Sequence, residues 1–210
     1  MFVGHFAIAF LLGYLFPGVP LWAALVGVSF PDLLWAVFVP LGLEDLEVDP
    51  NNPLQSSLRF TKLPYSHSLV ITNVMSFAVG GAIAVALGNP VVALVFVLAS
   101  ASHWALDLVV HIKDIPILGF DGDRKLGLGL WRWGKVAFFV ELLFYVAFAV
   151  AFLSGAAAIY AIVVGTVFHL LNANTFFGFT KKNTFRTANQ YALAVGLLFP
   201  AMIVILGLVA

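Results

Sequence analysis

The chain contains no cysteine. That excludes thiolate metal ligands, disulfides and cysteine nucleophiles, and it leaves the redox compartment open. Charge is scarce as well: only 10% of residues are charged, and ten Lys and Arg balance ten Asp and Glu to a formal net charge of zero. A neutral chain offers no electrostatic footprint for nucleic acid, so no nucleic-acid partner is expected. Small thiol-free polar content leaves room for the opposite extreme. Apolar residues make up 62% of the 210, with a mean hydropathy of +1.06, against ~45–50% apolar and ~25% charged in ordinary soluble domains. The expected solvent is lipid. The N-terminal stretch from Phe2 lacks a basic leader and a small-residue cleavage site, so it reads as a retained segment.

The apolar runs set the fold class. They cover Phe2 to Phe16, Leu21 to Leu43, Ser66 to Gly88, Val91 to Ile112, Trp131 to Leu153, Ala156 to Leu171 and Ala188 to Ala210. Crossing a bilayer takes ~20 helical residues, and lipid admits only structures that satisfy their own backbone. The expectation is therefore an all-α, polytopic membrane helix bundle of six to seven transmembrane helices, forming one integral membrane domain over residues 1–210. The first run is short and ends at Pro17-Gly18, so it is either tilted or partly inserted.

Three polar loops separate these runs: Glu44 to Tyr65, Lys113 to Leu130 and Asn172 to Thr187. With seven spans, parity places all three on one side. All ten basic residues, Arg59, Lys62, Lys113, Arg124, Lys125, Arg132, Lys135, Lys181, Lys182 and Arg186, fall in these loops or the adjoining helix ends. The positive-inside rule then makes that side cytoplasmic, in the inner or plasma membrane of the cell.

Lipid should exclude ionisable groups, each costing ~2.5–3.5 kcal/mol or more at mid-bilayer. Seven acidic residues lie in the loops, but Asp32, Asp107 and Glu141 do not. The five histidines, His5, His67, His103, His111 and His169, all lie within or at the ends of apolar runs. Topology gathers them below one face. In Ser102-His103-Trp104-Ala105-Leu106-Asp107-Leu108-Val109-Val110-His111 the polar groups are spaced i, i+4, i+8, which on a 3.6-residue helix puts all three on one face. Imidazoles and a carboxylate so placed suit a metal such as zinc, and two ions can share a carboxylate. Simpler readings exist for the others. A single membrane histidine such as His169 commonly hydrogen-bonds a neighbouring helix, and Pro31-Asp32 can be a kink with a capping carboxylate. Trp22, Trp35, Trp104, Trp131 and Trp133 read as interfacial anchors, and Gly127 to Trp131 as a close backbone approach where a helix begins.

The blocks Gly4-His5, Ser29-Phe30-Pro31-Asp32, Tyr65-Ser66-His67-Ser68 and Ser102-His103-Trp104-Ala105-Leu106-Asp107 resemble the signature of the membrane-bound metal-dependent hydrolase family called YdjM-like. That family is itself distantly similar to the zinc-dependent phospholipase C and nuclease P1 superfamily. The resemblance covers about the first half of the chain. Pro64-Tyr65 stands where a His-Arg pair is common, and no second acidic residue follows Asp32. It implies a metal set of His5, Asp32, His67, His103, Asp107 and His111, holding one to three divalent ions, most simply zinc. Asp32 would bridge ions and accept the water proton. Glu141 would be a further ligand or would orient an imidazole. The implied activity is a phosphoesterase or lipid-ester hydrolase at the cytoplasmic side of the bilayer, with membrane lipids as partners and Arg59, Lys62, Arg124 and Lys125 drawing phosphate headgroups. The same cluster also suits an ion- or proton-translocating transporter or a structural metal site.

Overall fold

Each long apolar run becomes a helix in the computed structural model, which describes residues 2–120 and 122–208. The helices are α1 (Val3–Leu15), α2 (Leu21–Phe38), α3 (Leu69–Leu87), α4 (Val91–Val110), α5 (Gly134–Phe152), α6 (Gly155–Leu171), a single turn α7 (Asn174–Phe177) and α8 (Ala188–Gly207). The chain is an all-α bundle, 67% helical. Five helices are long and apolar enough to cross a membrane: α2, α3, α4, α8, and α5 together with the 3-10 turn Leu130–Trp133 that leads into it. The shorter α1 and α6 complete the bundle.

The shortness of α1 has a packing reason. At 1.5 Å per residue its 13 residues reach about 20 Å, less than a ~30 Å hydrocarbon layer. It lies inside the bundle, between α2, α4 and α5. Val3, Phe6, Ala7, Ala9 and Phe10 are almost wholly buried and form the centre of the main core with Ala23, Leu25, Val28, Tyr145, Met202 and Leu206. α4 is the second central element, packed between α2 and α3. Its approach to α2 requires Gly27, where a Cβ would lie 2.7 Å from the Ala99 Cβ and 3.1 Å from the Phe96 carbonyl. Small residues at such crossings let backbones approach closely.

The polar loops hold more structure than turn signals predict. The first contains the antiparallel pair β1 (Asp45–Glu47) and β2 (Arg59–Lys62). The second contains β3 (Ile115–Pro116) and β4 (Lys125–Leu126), with Ile115 opposite Leu126. The loops are tied to one another and to the helices. The Asn183 N–H donates to the Pro50 carbonyl at 2.9 Å, and the Val70 N–H to the Ile117 carbonyl at 3.0 Å. Leu46 of the first loop and Asn183 of the third border one cavity of about 210 Å³, and Ile115 of the second packs in one apolar cluster with Leu46, Leu58 and Leu63 of the first. The three loops therefore converge at one end of the bundle, as parity requires.

Candidate metal centre

The i, i+4 spacing on α4 brings the His103 Nε2 to 3.1 Å from the Asp107 Oδ2. His111 departs from the expected continuous face. The helix ends at Val110, and His111 is its C-cap, with its N–H bonded to the Asp107 carbonyl but its ψ extended at 159°. Its ring still turns inward, leaving the Nε2 3.8 Å from the Asp107 Oδ2. From α1, the His5 Nε2 lies 3.2 Å from the Asp107 Oδ1, and its ring stacks on His103 at 3.6 Å and 8°. His67 precedes α3 and places its Nε2 3.5 Å from both Asp32 Oδ1 and Asp107 Oδ2. The Asp32 Oδ2 is 3.7 Å from the His103 Nε2. All six residues predicted as ligands thus belong to one network of contacts around Asp107 and Asp32. The Asp32 side chain is 17% exposed, against 3% for Asp107, so Asp32 is the more accessible of the two carboxylates that border the cavity.

Three of the imidazoles are held from behind. The His103 Nδ1 lies 2.7 Å from the Val28 carbonyl, the His111 Nδ1 3.0 Å from the Asp114 Oδ1, and the His67 Nδ1 2.7 Å from the Ser66 Oγ. Carbonyl and carboxylate oxygens only accept, so neutral His103 and His111 carry their proton on Nδ1 and present the Nε2 lone pair inward. Those lone pairs then face carboxylate oxygens. Such an arrangement is repulsive until a cation or a proton lies between them. His67 shows the same demand. Burial disfavours its charged form, but the hydrogen bond and charge of Asp32, with Asp107 and Glu44, outweigh it and raise its pKa above the ordinary imidazole value. The buried His5 Nδ1 and Nε2 and His103 Nε2 have no hydrogen-bond partner of acceptable geometry among the described residues, a cost of about 1–3 kcal/mol per group when left so.

Two overlapping donor triads can each hold an ion: His5, His103 and Asp107, and Asp32, His67 and His103, with ligand atoms within 4.8 Å of one another in each. Imidazole nitrogen with carboxylate oxygen suits zinc and other first-row divalent ions.

No protein-family model, curated protein or solved structure matches this chain. The functional reading therefore stands on the site itself.

Other sequence expectations fare differently. The Glu141 Oε1 accepts hydrogen bonds from the backbone N–H groups of Phe2 and, at 3.0 Å, Gly4. It holds the N-terminus of the helix that carries His5, where a negative charge is favoured by the helix dipole. Its position is thus that of an anchor for α1, although it also borders the cavity. The His169 Nε2 donates to the Phe138 carbonyl at 2.9 Å and the ring stacks on Phe138 at 4.1 Å, so His169 joins two helices, away from the cluster. Trp22 and Trp133 are exposed as anchors should be. Trp35 and Trp131 are not: both are buried, and Trp131 lies 4.2 Å from the His111 ring. Trp104 is half-buried and donates to the Pro116 carbonyl. Trp35 and Trp131 border the cavity beside the cluster. Arg59, Lys62, Arg124 and Lys125 are exposed on or beside the strands, and none of them borders the cavity. Gly127 is the expected close approach: a Cβ there would collide with the Lys113 nitrogen and the His111 carbonyl. The neighbouring Leu128 and Gly129 N–H groups bond to the Leu108 and His111 carbonyls at 2.8 Å, satisfying the orphan end of α4.

Proposed function

We propose that the chain is a membrane-embedded, metal-dependent hydrolase acting on a phosphoester or lipid ester, with its site toward the cytoplasmic face of the inner or plasma membrane. The observation that carries this reading is the convergence of inward-facing imidazole nitrogens on Asp107 and Asp32 beside an open cavity. His5, Asp32, His67, His103, Asp107 and His111 would hold one to three divalent ions, zinc being the simplest. A bound divalent ion supplies a water of lowered pKa, near ~7, and polarises the scissile oxygen. Asp32 faces the cavity and is placed to take the proton from the attacking water. Phe168, Leu198 and Phe199 contribute apolar wall to the cavity that Asp32, His67, Asp107 and His111 also line. That wall favours a substrate with a hydrocarbon portion, and the short polar floor favours its ester group at the ligands. The basic loops support the cytoplasmic orientation.

The test is elemental analysis of the purified protein, followed by hydrolysis assays on phospholipid and soluble phosphoesters. Bound metal and turnover, both lost in Asp32→Ala and His103→Ala, are expected. Retained metal with no hydrolysis of any ester, together with ion flux in liposomes, would replace the enzyme by a transporter.

A further inference from the structure

Glu44 lies at the start of the first polar loop, yet it is only 1% exposed. A buried carboxylate needs several donors. It has three. Its Oε1 accepts from the Tyr65 N–H at 2.8 Å and the Ser66 N–H at 2.9 Å, and its Oε2 accepts from the Ser66 hydroxyl. The same hydroxyl lies 2.7 Å from the His67 Nδ1. A hydroxyl has one proton, and the ionised carboxylate can only accept, so that proton points to Glu44. The Ser66 oxygen is then left as the acceptor for the His67 Nδ1–H. The Nε2 of a neutral His67 consequently carries its lone pair toward Asp32 and Asp107. His103 and His111 reach the same tautomer through single acceptors, whereas His67 reaches it through a chain of two residues.

We infer that Glu44 and Ser66 form a carboxylate–hydroxyl relay that fixes the tautomer of His67 and thereby sets the affinity of the cluster for a divalent cation. The inference rests on the reading of the cluster as a cation site, and its test separates the two. Glu44 and Ser66 touch no other ligand candidate among the hydrogen bonds described. They are positioning residues: they act on the ion through the ring they hold. Partners of this kind typically contribute 10–100-fold in metal affinity. The neighbouring Thr72 hydroxyl bonds to the Tyr65 and Ser66 carbonyls, so the backbone of this segment is secured independently of the Ser66 side chain.

That independence makes Ser66→Ala the decisive variant, since Glu44 keeps both backbone donors. Cobalt(II) is titrated into the full-length protein in detergent, followed by its absorption bands, for the parent, Ser66→Ala and Ser66→Thr. In parallel, ring nitrogen NMR of the ion-free proteins, at a pH high enough to leave the ring neutral, reports the His67 tautomer. The expected result is an affinity about 10–100-fold lower in Ser66→Ala, recovery in Ser66→Thr, and an Nδ1–H ring in the parent that becomes a tautomer mixture in Ser66→Ala. A purely structural role for the hydroxyl would lower thermal stability without changing the tautomer. Unchanged cobalt affinity and an unchanged ring signal in Ser66→Ala would overturn the relay, as would a mixed tautomer in the parent. A parent that binds no cobalt, nor zinc in competition, but shows the locked tautomer would sink the cation reading while upholding the relay. Glu44→Gln serves as a second variant, expected to lower cobalt affinity in the same direction.

Discussion

His103 belongs to both donor triads, so His103→Ala is the substitution with the largest expected effect on ion binding. An ion that binds only the folded state at 100 times its dissociation constant stabilises by about 2.7 kcal/mol. For a chain of this size 1 kcal/mol corresponds to about 2–4 °C in Tm, so zinc should raise the parent Tm by roughly 5–10 °C under those conditions. Losing a ligand shared by both triads should lower affinity by at least the ~100-fold that outer partners can cost. At the same zinc concentration the stabilisation then falls to about 0.4 kcal/mol, or about 1 °C. The substitution also removes the ring stacked on His5 and its bond to the Val28 carbonyl, so the ion-free variant should itself be less stable by about 1–3 kcal/mol. The informative quantity is therefore the difference between melts with zinc and with chelator for each protein. An equal zinc increment in parent and variant would refute the shared-ligand geometry. No increment in the parent with zinc, manganese or cobalt would refute the cation site altogether.

Glu141→Ala should destabilise the protein by about 2–4 kcal/mol, because it strips two charge-assisted bonds from the N-terminus of α1. It should also weaken ion binding through His5, and an unchanged melt and zinc titration would contradict that anchor. Gly127→Ala forces a Cβ into the Lys113 and His111 backbone, with a cost of about 1–3 kcal/mol and a displaced His111, read by thermal melts and cobalt spectra. The ion-free protein should lose stability with rising pH around its His67. That histidine has a raised native pKa, so its contribution is full below the unfolded value of ~6.5 and disappears as pH passes the native one. Divalent-ion stabilisation should run the opposite way, growing with pH as protons leave the ligands. Parallel pH dependences in chelator and in zinc would contradict competition between proton and ion.

The helices were legible because lipid-length apolar runs broken by Pro17-Gly18 and Gly88-Asn89-Pro90 leave few alternatives. Runs overshot where loops begin: the second was read through Leu43, but α2 stops at Phe38, since the residues beyond it lead into the β1–β2 pair. Period alone could not reveal either strand pair, because two to four residues carry too little pattern. The six ligand candidates were legible from a single physical fact, the cost of polar groups in apolar runs. Their outer partners were not. Glu44 sits beside Asp45, Glu47 and Asp49, and nothing local marks it as the buried one. Asp114 follows His111 by three residues, a spacing that signals contact in a helix, but the helix has ended by then. Glu141 was conspicuous for the right reason, yet its partners are the backbone of the chain's first turn, 137 residues away for Gly4, and no sequence pattern reports a backbone partner.

The central place of α1 bears on how the protein is made. Among the six ligand candidates His5 is made before the others, on a helix too short to cross a bilayer alone, and Glu141, which holds that helix, comes far later. Until α5 is made, the first turn of α1 lacks the Glu141 bonds that hold it in the folded chain. On the proposed cation reading, the His5 ligand is therefore secured only after α5 has been made, so ion loading is expected to follow closure of the bundle around α1.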